Sequence, residues 1–239
     1  MRTLGFSVGH DKGAVIIENG KVVVGITQER LSRIKHDGAY QGGTLPHDSI
    51  LYCLNYLGIT IKDINSIVYS TTELVDNVEE QFKNYFGVSV PLTFIPHHLA
   101  HAYSSFFSSG FEDAAVIVAD ASGSVLNSLN KLPNWYPNIE ELGLDLEEDW
   151  SEGISIYHLT KNTQKEVYKK WIKYPVPLDT DDDVSVGTLY SEGSLQLIYE
   201  PNSHTWPAGK LMGLASYANQ DIVNEAPFYI VEKDDNIFR

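Results

Sequence analysis

Three histidines fall within five residues in the run Pro96-His97-His98-Leu99-Ala100-His101-Ala102-Tyr103. The run follows an apolar, strand-like segment from Val90 to Ile95 and opens a helical pattern reaching about Ser109. On a helix, His97 and His101 stand one turn apart on one face, with Cβ atoms roughly 5–6 Å apart. Two imidazoles at that spacing can close on one divalent ion. His98 points elsewhere and is the weakest of the three for the same ion. Further on, Ala114 to Ala119 reads as a wholly apolar, buried central strand, and Asp120 ends it. An acid at a strand's carboxyl end suits metal or phosphate chemistry, although Asp is also a common turn residue. His97, His101 and Asp120 form a mixed nitrogen and oxygen set that suits Fe2+, Zn2+ or Mn2+. Such an ion keeps positions open for a substrate oxygen.

Four further groups could contribute. In the turn Ala121-Ser122-Gly123-Ser124, the backbone at Ser122 and Gly123 can face an anion such as a nucleotide phosphate. Arg30, Arg33, Lys35 and His36 gather cations in an otherwise acidic chain. Arg33 and Lys35 are candidates to hold a phosphate or a carboxylate-like group, and a solvated basic turn is the equal alternative. His10-Asp11, after the first strand, is a candidate acid–base or hydrogen-bonding pair. In Gly209-Lys210-Leu211-Met212-Gly213, small residues bracket a lysine. Lys210 could meet a phosphate there, and Gly213 would permit close backbone approach. The glycine spacing is not that of a P-loop.

The elements that must position these residues follow from patterning. Thr3–Val8, Ala14–Glu18 and Lys21–Gln28 read as strands, and Asn19-Gly20 is a type I′ hairpin signal. Pro46 opens an amphipathic helix that Gly58 stops. Strand 66–70, a helix over 73–86 and a strand over 92–95 precede the histidine helix. From Ser122 to Trp150 the pattern dissolves into Asn, Pro, Leu and acid, which reads as an inserted loop. Alternation at Ile154, Ile156 and His158 then pairs with 164–171 as a hairpin, and helices follow over 186–199 and 210–217. Three antiparallel strands followed by alternating helices and strands is the order of a ribonuclease-H-like mixed α/β sheet.

The formal charge of −15 argues against nucleic-acid backbones and anionic membranes as partners. Seven carboxylates lie between Glu140 and Glu152 and four between Asp179 and Asp183, and both runs read as solvated loops. Cys53 sits in a helical pattern as a small buried apolar residue. It has no second cysteine to pair with, which fits a reducing cytoplasm. No signal peptide is visible, and no apolar stretch approaches the ~20 residues a membrane span needs.

Read in order, these segments resemble the amino-terminal part of the O-carbamoyltransferases of nodulation-factor and antibiotic biosynthesis. The likeness rests on Gly9-His10-Asp11, on Gln28-Glu29-Arg30 with Arg33 and Lys35-His36-Asp37, and on His97-His98-Leu99-Ala100-His101-Ala102. Asp120, Gly187 with Leu189-Tyr190, and Gly209-Lys210-Leu211-Met212-Gly213-Leu214-Ala215 continue it to about Ala218. The histidine and lysine motifs are the specific ones.

The resemblance implies an actin-like ATPase lobe related to the tRNA threonylcarbamoyltransferases. It implies carbamoyl transfer from carbamoyladenylate, derived from ATP and carbamoyl phosphate, to a hydroxyl of a small-molecule acceptor. His97, His101 and Asp120 would bind a divalent metal, iron in that family. His10 would lie near the acceptor, with Arg33 and Lys35 lining the site. Where the family has Asp-Gly, this chain has Asp120-Ala121. Residues 1–239 are expected to form an amino-terminal lobe with an acidic insertion near 127–152. A longer chain or a partner chain would supply the second lobe and the carboxyl-terminal domain. Two other readings use the same residues: a metal-binding or assembly subunit without catalysis, and a tRNA enzyme, which the acidic charge disfavours.

Overall fold

Asn19-Gly20 forms the hairpin its sequence implies, since both residues have positive φ, 51° and 79°. That geometry matches the twist of the flanking strands. The structure, a computed structural model, describes residues 1–9, 11–34, 44–72, 77–88, 91–126, 142–144, 149–173, 185–198 and 207–217. Strands β1 (Arg2–Ser7), β2 (Gly13–Glu18) and β3 (Lys21–Thr27) pair antiparallel. On the other side of β1, β4 (Ser66–Ser70) and β5 (Leu92–Phe94) add in parallel, giving the order β3-β2-β1-β4-β5. This is the ribonuclease-H-like mixed sheet expected from the element order.

A short helix that the sequence pattern did not reveal, α1 (Gln28–Ser32), follows β3. Its buried Gln28 bonds Asp48 and Ser49, which ties the end of β3 to the start of α2 (His47–Leu57). Gly58 ends α2 with φ 64°, the left-handed cap that glycine adopts without strain. Ile50, Cys53 and Leu54 of α2 share one core with Leu4, Phe6 and Ile16 and with Phe82 of α3 (Val78–Phe86). Residues 73–76 of the expected third helix lie outside the described residues. Cys53 is fully buried, and burial pushes its thiol up to about 11, so it behaves as the apolar filler expected.

The second half departs from expectation. Strands β6 (Asp113–Ala119), β7 (Trp150–Thr160) and β8 (Gln164–Lys173) form a separate antiparallel sheet in the order β6-β7-β8. The apolar run 114–119 is therefore an edge strand and not a buried central one. Val118 is buried, whereas Ile117 is 68% exposed on the opposite face. The run reads as continuous because alanines and Ile117 occupy the open face, where polar residues would have revealed the alternation. Of the acidic insertion expected near 127–152, residues 127–141 and 145–148 lie outside the described residues, and β7 begins at Trp150.

Helix α4 (His97–Ser109) leaves the first sheet behind β5 and packs on the second. Its Leu99, Ala102 and Phe106 meet Val118, Tyr157 and Leu159. Two helices complete the described chain, α5 (Val186–Leu197) and α6 (Ala208–Ala215). No described helix is long and apolar enough to cross a membrane.

Candidate functional site

Strands β1, β4 and β5 run parallel, so their carboxyl ends lie at one end of the sheet, where α/β folds place ligands. At that end Gly9 has φ 115°, and a side chain there would face the Thr71 and Thr72 hydroxyls at 4.0 and 3.9 Å. The Ser124 hydroxyl donates to the Thr71 carbonyl at 3.1 Å and accepts from the His97 N–H at 2.9 Å. The end of β4, the start of α4 and the turn after β6 are thereby joined.

That junction brings three side chains together. His97 Nε2 lies 2.9 Å from Asp120 Oδ2 and 3.0 Å from His101 Nε2, and His101 Nε2 is 3.4 Å from Asp120 Oδ2. The two imidazoles stand almost perpendicular, at 86°. Burial alone would raise the Asp120 carboxyl, but hydrogen bonds with His101 and His97 and from the Ala121 N–H hold it well below the usual carboxylate range. The hydrogen bond to Asp120 raises His101 against the opposing effect of burial. All three ligand atoms lie within 4.8 Å of one another. Metal–ligand bonds of 2.0–2.2 Å, at angles from right to tetrahedral, set neighbouring ligand atoms about 3.0–3.5 Å apart. The separations and the N, N, O chemistry therefore fit a divalent ion.

Behind the cluster lies a residue that sequence reasoning missed. Glu152 is fully buried, and its Oε2 accepts the N–H groups of His98 at 3.2 Å and Ser124 at 3.0 Å. Its Oε1 accepts from Lys169 at 2.6 Å. Burial pushes the Glu152 carboxyl up, but the Lys169 charge, His98 and these hydrogen bonds hold it below the usual range. The acidic run had placed Glu152 in a solvated loop. A register irregularity between Glu152 and Ile154 turns it inward, and the sequence signal for that is slight: a glycine, Gly153, at a strand start. His98 faces the same interior. Its Nδ1 pairs with Ser155 Oγ at 2.8 Å, and burial pushes its pKa down to about 4.

The remaining candidates are distributed differently. The turn after Asp120 is bonded to Glu152 by both carboxylate and backbone. The Ser124 N–H meets its carboxylate, and the Gly123 N–H donates to its backbone carbonyl at 2.7 Å. Gly123 also packs tightly against its neighbours. A side chain there would come within 2.6 Å of His98 Cδ2 and 2.7 Å of Glu152 Cβ. The Ser122 hydroxyl donates to Ser151 Oγ at 3.2 Å.

The departure at Ala121 also has a structural counterpart. Ser185 and Thr188 both donate their hydroxyls to the Ala121 carbonyl. Gly187 lets α5 press close, since a side chain there would lie 2.7 Å from Ala121 Cα. Arg33 takes φ 62° at the end of α1, beyond β3. Lys210 and Gly213 lie on exposed faces of α6, which packs against α5. His10 and Lys35 lie outside the described residues.

The family described as Carbamoyltransferase N-terminus matches residues 2–89 and 80–233. Nodulation protein NolNO of Sinorhizobium fredii (strain NBRC 101917 / NGR234) is 33% identical over 145 residues, which is 50% of this chain and 21% of that protein. The Synechocystis sp. (strain ATCC 27184 / PCC 6803 / Kazusa) protein sll1178, described as uncharacterized, is 27% identical over 154 residues, 48% of this chain and 24% of that protein. The chain thus spans under a quarter of the length of these relatives. Among solved structures, YeaZ from Pseudomonas aeruginosa aligns over 91% of this chain and 93% of its own, with TM-score 0.37 and 11% identity. The activator of the 2-hydroxyisocaproyl-CoA dehydratase from Clostridium difficile aligns over 92% and 68%, with TM-score 0.42 and 13% identity.

Proposed function

The chain belongs to the carbamoyltransferase N-terminus family, and from that premise we propose that it forms the metal-holding part of an O-carbamoyltransferase. The whole enzyme would move a carbamoyl group from carbamoyladenylate, made from ATP and carbamoyl phosphate, to a hydroxyl of a small-molecule acceptor. The observation that carries this reading is the convergence of His97 Nε2, His101 Nε2 and Asp120 Oδ2 within 4.8 Å. Those atoms would hold Fe2+, Zn2+ or Mn2+, and a bound ion would polarise the carbamoyl oxygen and favour developing negative charge there.

The chain's own residues prepare that chemistry. The histidine contacts keep Asp120 ionised, as a ligand must be. Burial keeps His98 neutral, so the N-terminus of α4 gains no charge from it near pH 7. In this reading His10, which follows Gly9 in sequence, takes the acceptor hydroxyl's proton as general base. Arg33 and Lys35 supply cationic groups to the site, and Lys210 meets a phosphate of the nucleotide.

Metal analysis of the purified chain tests the centre. His97→Ala and His101→Ala should each strip the bound ion, and unchanged metal content in both would sink the ligand assignment. Turnover is tested in the full-length protein with ATP, carbamoyl phosphate and hydroxylated acceptors. Carbamoylated product should form with the intact histidine pair and vanish with His97→Ala.

A further inference from the structure

The hydrogen bonds that fix the distance between His97 and Asp120 lead back to one carboxylate. His97 sits at the start of α4, where the first N–H groups of a helix have no partner within the helix. The His97 N–H goes to Ser124 Oγ and the next, that of His98, to Glu152 Oε2. Asp120 precedes the turn whose Ser124 N–H reaches the same Oε2. Two more bonds lock that turn to the β7 backbone, Gly123 N–H to Glu152 O and Glu152 N–H to Ser124 O. A single buried oxygen thus holds the helix carrying both histidines and the turn that follows Asp120. Lys169, with a side chain only 4% exposed, balances its charge from β8.

We propose that Glu152 is a positioning residue for the metal centre. It sets the histidine helix against Asp120 without touching the ion, and so rests on the metal reading above. The ligands come from different places, a helix that follows the first sheet and the residue just after a strand of the second. Nothing in the local sequence fixes their spacing, whereas a shared acceptor joins both backbones directly. Partners behind the ligands of a metal site commonly govern affinity by about 10–100-fold.

The test uses the full 239-residue chain, with Co2+ alone as the probe, read by visible absorption. Glu152→Leu should weaken Co2+ binding about 10–100-fold and speed amide exchange at His98 and Ser124. Glu152→Gln combined with Lys169→Met keeps an acceptor and removes both charges, and should restore most of the affinity. Phe82→Leu, in the first core, should lower the melting temperature and leave Co2+ affinity unchanged, which separates positioning from general stability.

A folded Glu152→Leu that binds Co2+ like the wild type would overturn the proposal. Should Glu152→Leu not fold, Glu152→Asp decides, because it keeps the charge but, one methylene shorter, draws the shared oxygen back from both N–H groups. Wild-type affinity in Glu152→Asp overturns the proposal, and weakened affinity supports it. If wild type and His97→Ala bind Co2+ alike, the metal reading fails instead. The clamp is then judged by exchange alone, and slow exchange at His98 and Ser124 in Glu152→Asp overturns it.

Discussion

In the five-stranded sheet, Leu4, Ile16, Ile50 and Phe82 meet in an apolar core, whereas the three-stranded sheet buries Glu152, Ser155 and Lys169 close to Leu159 and Ile172. The first arrangement is non-directional and tolerant of small shifts, because apolar burial depends on area removed from water. The second is directional, since each buried polar atom needs a partner at a set distance or bears a desolvation cost. The candidate centre stands where the two meet, its helix arriving from the first sheet and packing on the second. Apolar contact brings α4 to the sheet, and the buried polar atoms fix its separation from Asp120.

Removing one partner on each side probes that contrast most strongly. Lys169→Met strands Glu152 as an uncompensated buried charge and should cost about 3–5 kcal/mol in urea unfolding. Adding Glu152→Gln should return most of that loss, and equal stability of single and double variants would break the directional account. Phe82→Ala, from a fully apolar environment, should cost a similar 3–5 kcal/mol. It has no ionic partner that could rescue it, and metal affinity should not follow the loss.

The pH dependence gives a smaller and more specific effect. Burial pushes the His98 pKa down to about 4, while an unfolded histidine titrates near 6.5. Its contribution is whole above pH 6.5 and is lost as the pH falls through 4, up to about 3 kcal/mol. The lowered Glu152 and Asp120 carboxyls add losses of the same sign further into acid. His98→Asn should flatten the unfolding midpoint between pH 6.5 and 4, and an unchanged slope would assign that dependence elsewhere. The smallest effect is expected from Ser185→Ala. It removes the N-cap bond to the Thr188 N–H and the bond to the Ala121 carbonyl. The melt should record about 1 kcal/mol, with α5 loosened from the turn after Asp120.

Much of the first sheet was legible in the sequence because its signals are local. Asn19-Gly20 dictates its own backbone, Pro46 and Gly58 mark the ends of α2 (within a residue), and strand 66–70 has the expected bounds. The histidine pair was legible for the same reason, since a helix puts i and i+4 on one face whatever else the chain does. The strand 114–119 was misread because alanines carry no signal for which face is open. Glu152 was misread because its burial depends on a strand irregularity and on Lys169, seventeen residues away in sequence.

By itself, the sequence determined most of the element order, the helical spacing of His97 and His101, and membership of a carbamoyltransferase family. Each follows from short-range pattern or from motifs held in order along the chain. Only the tertiary structure decided that Asp120 meets those histidines, that its strand lies at the edge of a second sheet, and that Glu152 braces the junction. Those outcomes depend on contacts across 23 to 54 residues, such as His97 with Asp120 and His98 with Glu152. No local preference encodes such a distance. It exists once two separate sheets are packed and their buried polar atoms have found partners.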